Sequence, residues 1–285
     1  MKVTGNLEEF RGLLDEARQS GARVGFHPTM GALHAGHRAN IRKAAAECDL
    51  VAASIFVNPL QFGPGEDFQS YPRDLEADLD QAEQAGADVV LAPGAEAMLA
   101  DKPLVSVQVR GLGQILEGAA RPVHFEGVAT IVTKLFALAG PCHAYFGEKD
   151  YQQLVIVRRL VAELSLPVVV VPCPTVREPD GLAISSRNAY LSPPERQAAP
   201  VLYWSLLAGK RAIEEHGVAE GAEVRAAMLE VASRQERFRL DYAEVVGPAT
   251  LAPVAAITGE VRLLIAGQVG RTRLIDNVPA NEQEA

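Results

Sequence analysis

From residue 22 to about residue 172, short apolar runs alternate with helix-patterned stretches, and this alternation constrains the fold more than any other feature. Residues 22–26 read as a strand, 36–48 as a helix, and 50–57 as a second strand. That strand is rich in Val, Ile and Ala and stops at Asn58-Pro59, where proline removes a donor and forces a turn. Residues 74–86 carry Leu75, Leu79 and Ala82 on one helical face with Gly86 as a stop, and 87–91 form a third strand closed by Pro93-Gly94. A helix over 128–139, an extended run over 143–146, a helix over 151–164 and a strand over 168–171 complete the series. Strands apolar on both faces and separated by helices imply a parallel sheet covered on two sides. The expected fold class is therefore α/β, with a Rossmann-like doubly wound parallel sheet.

Beyond Cys173-Pro174-Thr175 the pattern changes to a loop punctuated by Gly and Pro. Helices over 193–216 and 220–235 follow, then extended runs over 241–246, 260–266 and 272–275. This predicts a smaller C-terminal α+β domain, with domains at 1–175 and 176–285, and a frayed tail over 279–285. At 285 residues the chain has length enough for two unequal cores.

Composition narrows the function classes. Hydrophobic residues at 48% and charged residues at 22% suit a folded enzyme and argue against disorder. No apolar run reaches the ~18 residues of a membrane span, and the start of the chain lacks a signal-peptide core, so a cytoplasmic protein without a membrane partner is expected. A net charge of −9 opposes a general nucleic-acid binder, whose affinity would rest on clustered Lys and Arg. Cys48, Cys142 and Cys173 are odd in number and far apart, which suggests buried thiols rather than a disulfide framework or a zinc site.

Four segments carry chemistry, each expected where a strand ends or in a loop. In the first, Met30-Gly31-Ala32-Leu33-His34-Ala35-Gly36-His37, two imidazoles one turn apart stand at a helix start. Unpaired backbone N–H groups there favour an anion, and the glycines admit a ligand close to the backbone. By itself the pair fits a phosphate site, a packed histidine pair, or a metal pair lacking its third ligand. Asn58 and Gln61 offer neutral donors and acceptors for a small hydroxy acid, or simply a turn. Gly147-Glu148-Lys149-Asp150 combines close backbone approach, a cation for phosphate and an acceptor for ribose hydroxyls, or else an acid-capped helix start. Ile184-Ser185-Ser186-Arg187 sets two hydroxyls and a guanidinium in a loop able to close on phosphate, or a polar linker.

Taken together these segments resemble the pantothenate synthetase (pantoate–β-alanine ligase) family. The match runs through residues 28–37, 56–62, Tyr71-Pro72-Arg73, 124–130, 146–150, 185–188 and 272–277, almost the whole chain. The His-x-Gly-His element is also similar to the HIGH signature of nucleotidyl transferases, and the Ser-Ser-Arg loop to their KMSKS loop. The resemblance implies ATP-dependent condensation of pantoate with β-alanine through a pantoyl-adenylate, with Mg²⁺, in a homodimer. It implies catalytic roles for His34, His37, Lys149 and Arg187. ATP contacts would come from Met30 to His37, Gly147, Glu148, Lys149, Asp150, Val176, Ile184, Ser185, Ser186 and Arg187. Gln61 and Gln153 would hold pantoate, with Asn58 beside them. Mg²⁺ would sit near Asp78, although Ala77 interrupts the family's acidic run, and Ile184 stands where the family usually has Met.

Overall fold

The computed structural model describes residues 1–99 and 103–281, and the chain divides into two compact units. The first comprises Met1–Glu148 with Gln152–Pro174, the second Lys149–Tyr151 with Thr175–Ala285. The division falls one residue before the expected boundary, and Lys149–Tyr151 groups with the C-terminal unit instead of the first.

The first unit begins with β1 (Lys2–Thr4), α1 (Leu7–Gln19), β2 (Val24–Thr29), α2 (Ala35–Glu47), β3 (Leu50–Ile55), α3 (Leu75–Ala85) and β4 (Val89–Leu91). The short helices α4 (Ala95–Met98) and α5 (Glu117–Ala120) follow, then α6 (His124–Ala139), β5 (Cys142–Gly147), α7 (Tyr151–Glu163) and β6 (Val168–Cys173). Six parallel strands lie in the order β1-β4-β3-β2-β5-β6. Helices cover both faces. Phe26 of β2 packs on Phe10 of α1 with ring centroids 6.1 Å apart, while a Cβ on neighbouring Gly25 would lie 3.2 Å from Ala44 of α2. Strand order reverses between β2 and β5, and the carboxyl ends of strands at such a reversal form the usual ligand crevice of doubly wound sheets.

β1 and α1 precede the first element read from the sequence. Asn6 starts α1 by accepting from the N–H groups of Glu8 and Glu9, and Phe10 and Leu14 then bury one face. β2 runs three residues past its expected end, through Pro28. Its pairing with β5 covers only Gly25 and Phe26, so the proline meets a ladder on the β3 side alone and its missing N–H is tolerated. α6 starts at His124, four residues before the expected 128.

The second unit holds α8 (Pro193–Ala198), α9 (Val201–Glu214), α10 (Gly221–Ser233) and the antiparallel sheet of β7 (Phe238–Val246), β8 (Val261–Val269) and β9 (Thr272–Ala280). The helix expected over 193–216 is broken at Pro200, the N-cap of α9, which has no N–H to continue α8. Leu202 and Leu206 of α9, Val224 and Met228 of α10, and Leu263 and Ile265 of β8 form the core of this α+β unit. β9 reaches Ala280, so Pro279 and Ala280 are paired in the sheet, not frayed, and Asn281 donates to Glu214 and Gly259; residues 282–285 of that tail lie outside the described residues. Among the described residues no helix is long and apolar enough to cross a membrane.

Candidate active site

The loop from β2 to α2 is shaped by Asp78. Its carboxylate, buried on α3, accepts the backbone N–H groups of Ala32 at 2.9 Å and Leu33 at 2.6 Å. Gly31 has φ +83°, and a Cβ there would lie 2.7 Å from Asp78 Oδ2, so the glycine serves the backbone turn and the carboxylate together. Thr29 Oγ1 accepts from Gly31 N and donates to Ser54 O, tying the loop to the end of β3. Burial raises the Asp78 pKa, and the two N–H donors oppose that shift.

The expected Mg²⁺ position near Asp78 meets a carboxylate that already braces the loop. Both Asp78 oxygens are engaged by backbone N–H groups, and among the described residues no group of three His, Cys, Asp or Glu is arranged to hold a metal. A protein cage for Mg²⁺ is thus absent among the described residues, and an ion carried by the triphosphate would meet at most one or two carboxylates here.

His34 and His37 lie together at the start of α2, with rings stacked and centroids 4.0 Å apart. His34 is the N-cap, and its Nδ1 accepts from Gly36 N at 3.2 Å; His37 Nδ1 accepts from His34 N at 3.3 Å. Two of the backbone donors expected to meet an anion are therefore engaged by the histidines themselves. Because both Nδ1 atoms accept, the Nε2 atom of each ring is the one that carries a proton.

A buried polar array stands beside the loop. Asn58 Oδ1 accepts from Leu60 N at 3.1 Å, while Asn58 Nδ2 donates to Gln61 Oε1 at 3.0 Å and to Gly127 O at 3.1 Å. Asn58 is 1% exposed with both Nδ2 hydrogens committed to protein, so it supports Gln61. Its fixed orientation also fixes Gln61, whose Oε1 accepts and whose Nε2 is left as a donor against the Met30 sulfur.

Adjacent glutamines of α7 divide their work. Gln152, which sequence reasoning missed, donates to Leu112 O and Ile115 O and accepts from Glu117 N, so it braces the 112–117 segment. Gln153 is half-buried, and its amide is uncommitted among the described residues. Gly147 ends β5, where a Cβ would make only ordinary contact with Asn40, and Glu148 follows it.

Two buried histidines were also missed. His27 Nδ1 lies 2.8 Å from Tyr145 O, joining β2 to β5, and its ring packs 5.7 Å from that of His37. His124 Nδ1 lies 3.0 Å from Gln61 O. Burial pushes both pKa values down to about 4, with the Arg121 charge contributing for His124. The signal for these roles is tertiary, since neither residue stands in a hydrogen-bonding pattern local in sequence.

In the second unit, Lys149 and Asp150 are anchored through their backbone and through Tyr151. Asn277 Nδ2 donates to Lys149 O at 2.8 Å, Tyr151 OH donates to Pro248 O, and the Arg262 guanidinium lies 4.1 Å from the Tyr151 ring centre. Lys149 Nζ lies 3.5 Å from Asp150 Oδ1. Val176 and Ile184 are neighbours across a tight loop, with Ile184 N donating to Val176 O at 3.0 Å. Arg177 pins that loop by donating to both oxygens of buried Asp276. Ser185 caps the 3₁₀ turn Ser186–Tyr190 by accepting from Arg187 N, and Asn188 donates to Ala183 O.

A parallel sheet reversing at β2/β5, with a histidine-capped helix start at the carboxyl end of β2, defines an α/β enzyme of the doubly wound class. The family model described as pantoate-beta-alanine ligase matches residues 2–279. A pantothenate synthetase of Thermus thermophilus is 52% identical over 279 residues, covering 98% of this chain and 99% of its own length. One from Rhizobium johnstonii is 47% identical over 277 residues, covering 97% and 91%. The crystal structure of the Thermus thermophilus enzyme superposes with a TM-score of 0.92 at 49% identity over 98% of this chain and 99% of that one. A pantoate-beta-alanine ligase of Francisella tularensis, solved with a β,γ-ATP compound and β-alanine, gives a TM-score of 0.80 at 32% identity over 98% and 97%. The chain belongs to the pantoate–β-alanine ligase family.

Proposed function

We propose that this chain condenses pantoate with β-alanine at the cost of ATP, through a pantoyl-adenylate, releasing AMP and diphosphate. The observation that carries the reading is the family match across residues 2–279, which includes the stacked His34–His37 pair at the sheet's reversal point.

In the first step a pantoate carboxylate oxygen attacks the α-phosphorus of ATP, and the bond to diphosphate breaks. The carboxylate is already ionised at pH 7, so no base is needed. The obstacle is the approach of two anions, and donors around phosphorus lower it. The Nε2–H groups of His34 and His37 are assigned to that task. Lys149, Arg187 and the serines before it are assigned to the phosphates on the motif match, as are Gly147 to Asp150, Val176 and Ile184 to the nucleotide. Gln61 and Gln153 are assigned to pantoate, supported by the donor face of Gln61 and the uncommitted amide of Gln153. In the second step the amine of β-alanine, after losing a proton, attacks the acyl carbon and AMP leaves with its bonding electrons. Mg²⁺ enters this reading only as the counter-ion of the triphosphate, with no ligand assigned from this chain. A homodimer and a cytoplasmic site of action are carried by the family resemblance alone.

Exchange of label between diphosphate and ATP tests the reading. Exchange that requires pantoate is the expected result. Exchange supported by a different acid, or none with pantoate present, overturns it.

A further inference from the structure

We propose that His124 and Arg121 are positioning residues that clamp the turn carrying Gln61 and so set the selectivity for the hydroxy-acid substrate. The inference rests on the assignment of Gln61 to pantoate and extends it to Arg121 and to His124, which lies in the matched run 124–130 but has no role assigned there.

Gln61 ends the 3₁₀ turn Pro59–Gln61. Its backbone carbonyl receives two donors, His124 Nδ1 at 3.0 Å and Arg121 Nη2 at 3.2 Å. A carbonyl only accepts, so His124 carries a proton on Nδ1 and donates it to Gln61 O. Arg121 is held in turn by Glu66, with Nε 3.1 Å from each carboxylate oxygen. One turn further along α6, Gly127 lies so close that a Cβ would stand 2.3 Å from the Leu60 carbonyl carbon. The turn is thus gripped at three points by the segment from Arg121 to Gly127.

The opposite side of the same turn carries Asn58, which fixes the Gln61 amide with Oε1 engaged and Nε2 donating. Its present acceptor is the Met30 sulfur, a weak one that a ligand oxygen outcompetes. The Gln61 amide is therefore aimed from two sides, its backbone by His124 and Arg121 and its head group by Asn58. Loss of the clamp leaves a buried carbonyl short of donors and lets the turn drift, and drift of the order of 1 Å is enough to spoil a substrate contact. Because the clamp is confined to this turn, the loss falls on pantoate and spares ATP.

The test uses the full chain and single-turnover adenylate formation, with KM for each substrate from diphosphate exchange. His124→Asn places an amide N–H near the Nδ1 position, whereas His124→Gln places its amide near Nε2. His124→Gln is expected to raise KM for pantoate roughly tenfold with KM for ATP within about twofold, and His124→Asn to recover most of that loss. In a Gln61→Ala background, adding His124→Gln should change KM for pantoate by less than about twofold, since a residue acting through Gln61 has nothing left to aim. Glu66→Gln, which loosens Arg121 without touching the turn, should reproduce the same split to a smaller degree and serves if His124→Gln fails to fold. Equal effects on both substrates, equal effects of Asn and Gln, or an undiminished penalty without the Gln61 side chain would overturn the clamp. A silent Gln61→Ala would instead overturn the pantoate assignment itself, and the clamp's role with it.

Discussion

His37 accepts the backbone N–H of His34 through Nδ1 while the two rings stack, so one contact closes the capping box and fixes the orientation of the His37 imidazole. The two functions can be separated by substitution. His37→Asn keeps an acceptor near the Nδ1 position and loses the Nε2–H, so it should fold with wild-type stability yet form adenylate two to three decades more slowly, a loss of about 3–4 kcal/mol in the transition state. His37→Gln, an ordinary capping-box residue at this position, should keep the cap as well and, with its amide near the Nε2 position, retain more of the rate. Denaturant unfolding and single-turnover kinetics on the two variants check this; a His37→Asn rate within fivefold of wild type would contradict it.

Asp78 should behave as a brace and not as a metal ligand. In Asp78→Asn one acceptor becomes a donor facing a backbone N–H, and the expected loss is about 2–4 kcal/mol of stability, from two hydrogen bonds to a charged acceptor. The Mg²⁺ concentration that half-saturates the reaction should move by less than about twofold, because the ion draws no ligand from this carboxylate. A shift of about tenfold or more would restore the metal role.

Stability should fall with acid between about pH 6.5 and 4. His27 and His124 have folded pKa values of about 4, well below the ordinary histidine value. In that window the unfolded chain binds protons that the folded chain refuses, so stability is fully present above 6.5 and declines by about 1.4 kcal/mol per pH unit for each histidine. Replacing both with Asn, which keeps an N–H near each Nδ1 position, should flatten unfolding free energy across that window. An unchanged slope in the double variant would show that other groups control it.

The two half-reactions should part with pH. Adenylate formation uses a carboxylate that is ionised throughout the neutral range, whereas aminolysis needs the minor free-amine form of β-alanine. Isolated adenylate mixed with β-alanine should react up to about tenfold faster per unit of pH above 7, while the first step stays nearly level. Parallel profiles would place a shared titrating group in both.

The apolar run at 50–57 was legible as a buried parallel strand because a sheet covered on both faces needs no polar alternation, whereas the run at 168–171 lies in the edge strand β6, where Val169 is exposed. The His34–His37 pair was legible because helical spacing alone puts two residues three apart on one face. The support that Asn58 gives Gln61 was not legible because its other partner Gly127 is 69 residues away, and nothing in the turn reveals that the amide is engaged there. The bracing role of Asp78 was hidden for the same reason: its partners Ala32 and Leu33 belong to a different element, 46 and 45 residues earlier.

Periodicity and local residue chemistry determined the layered α/β class, the C-terminal α+β unit and which segments carry donors for phosphate and hydroxy acid, since those properties depend on neighbours within a few positions. Tertiary structure decided which way each donor points: the Nε2 tautomers of His34 and His37, the donor face of Gln61, the bracing of Ala32 and Leu33 by Asp78, and the docking of Lys149 through Asn277. A polar side chain has more than one way to be satisfied. Only the partner that folding brings to it selects among them.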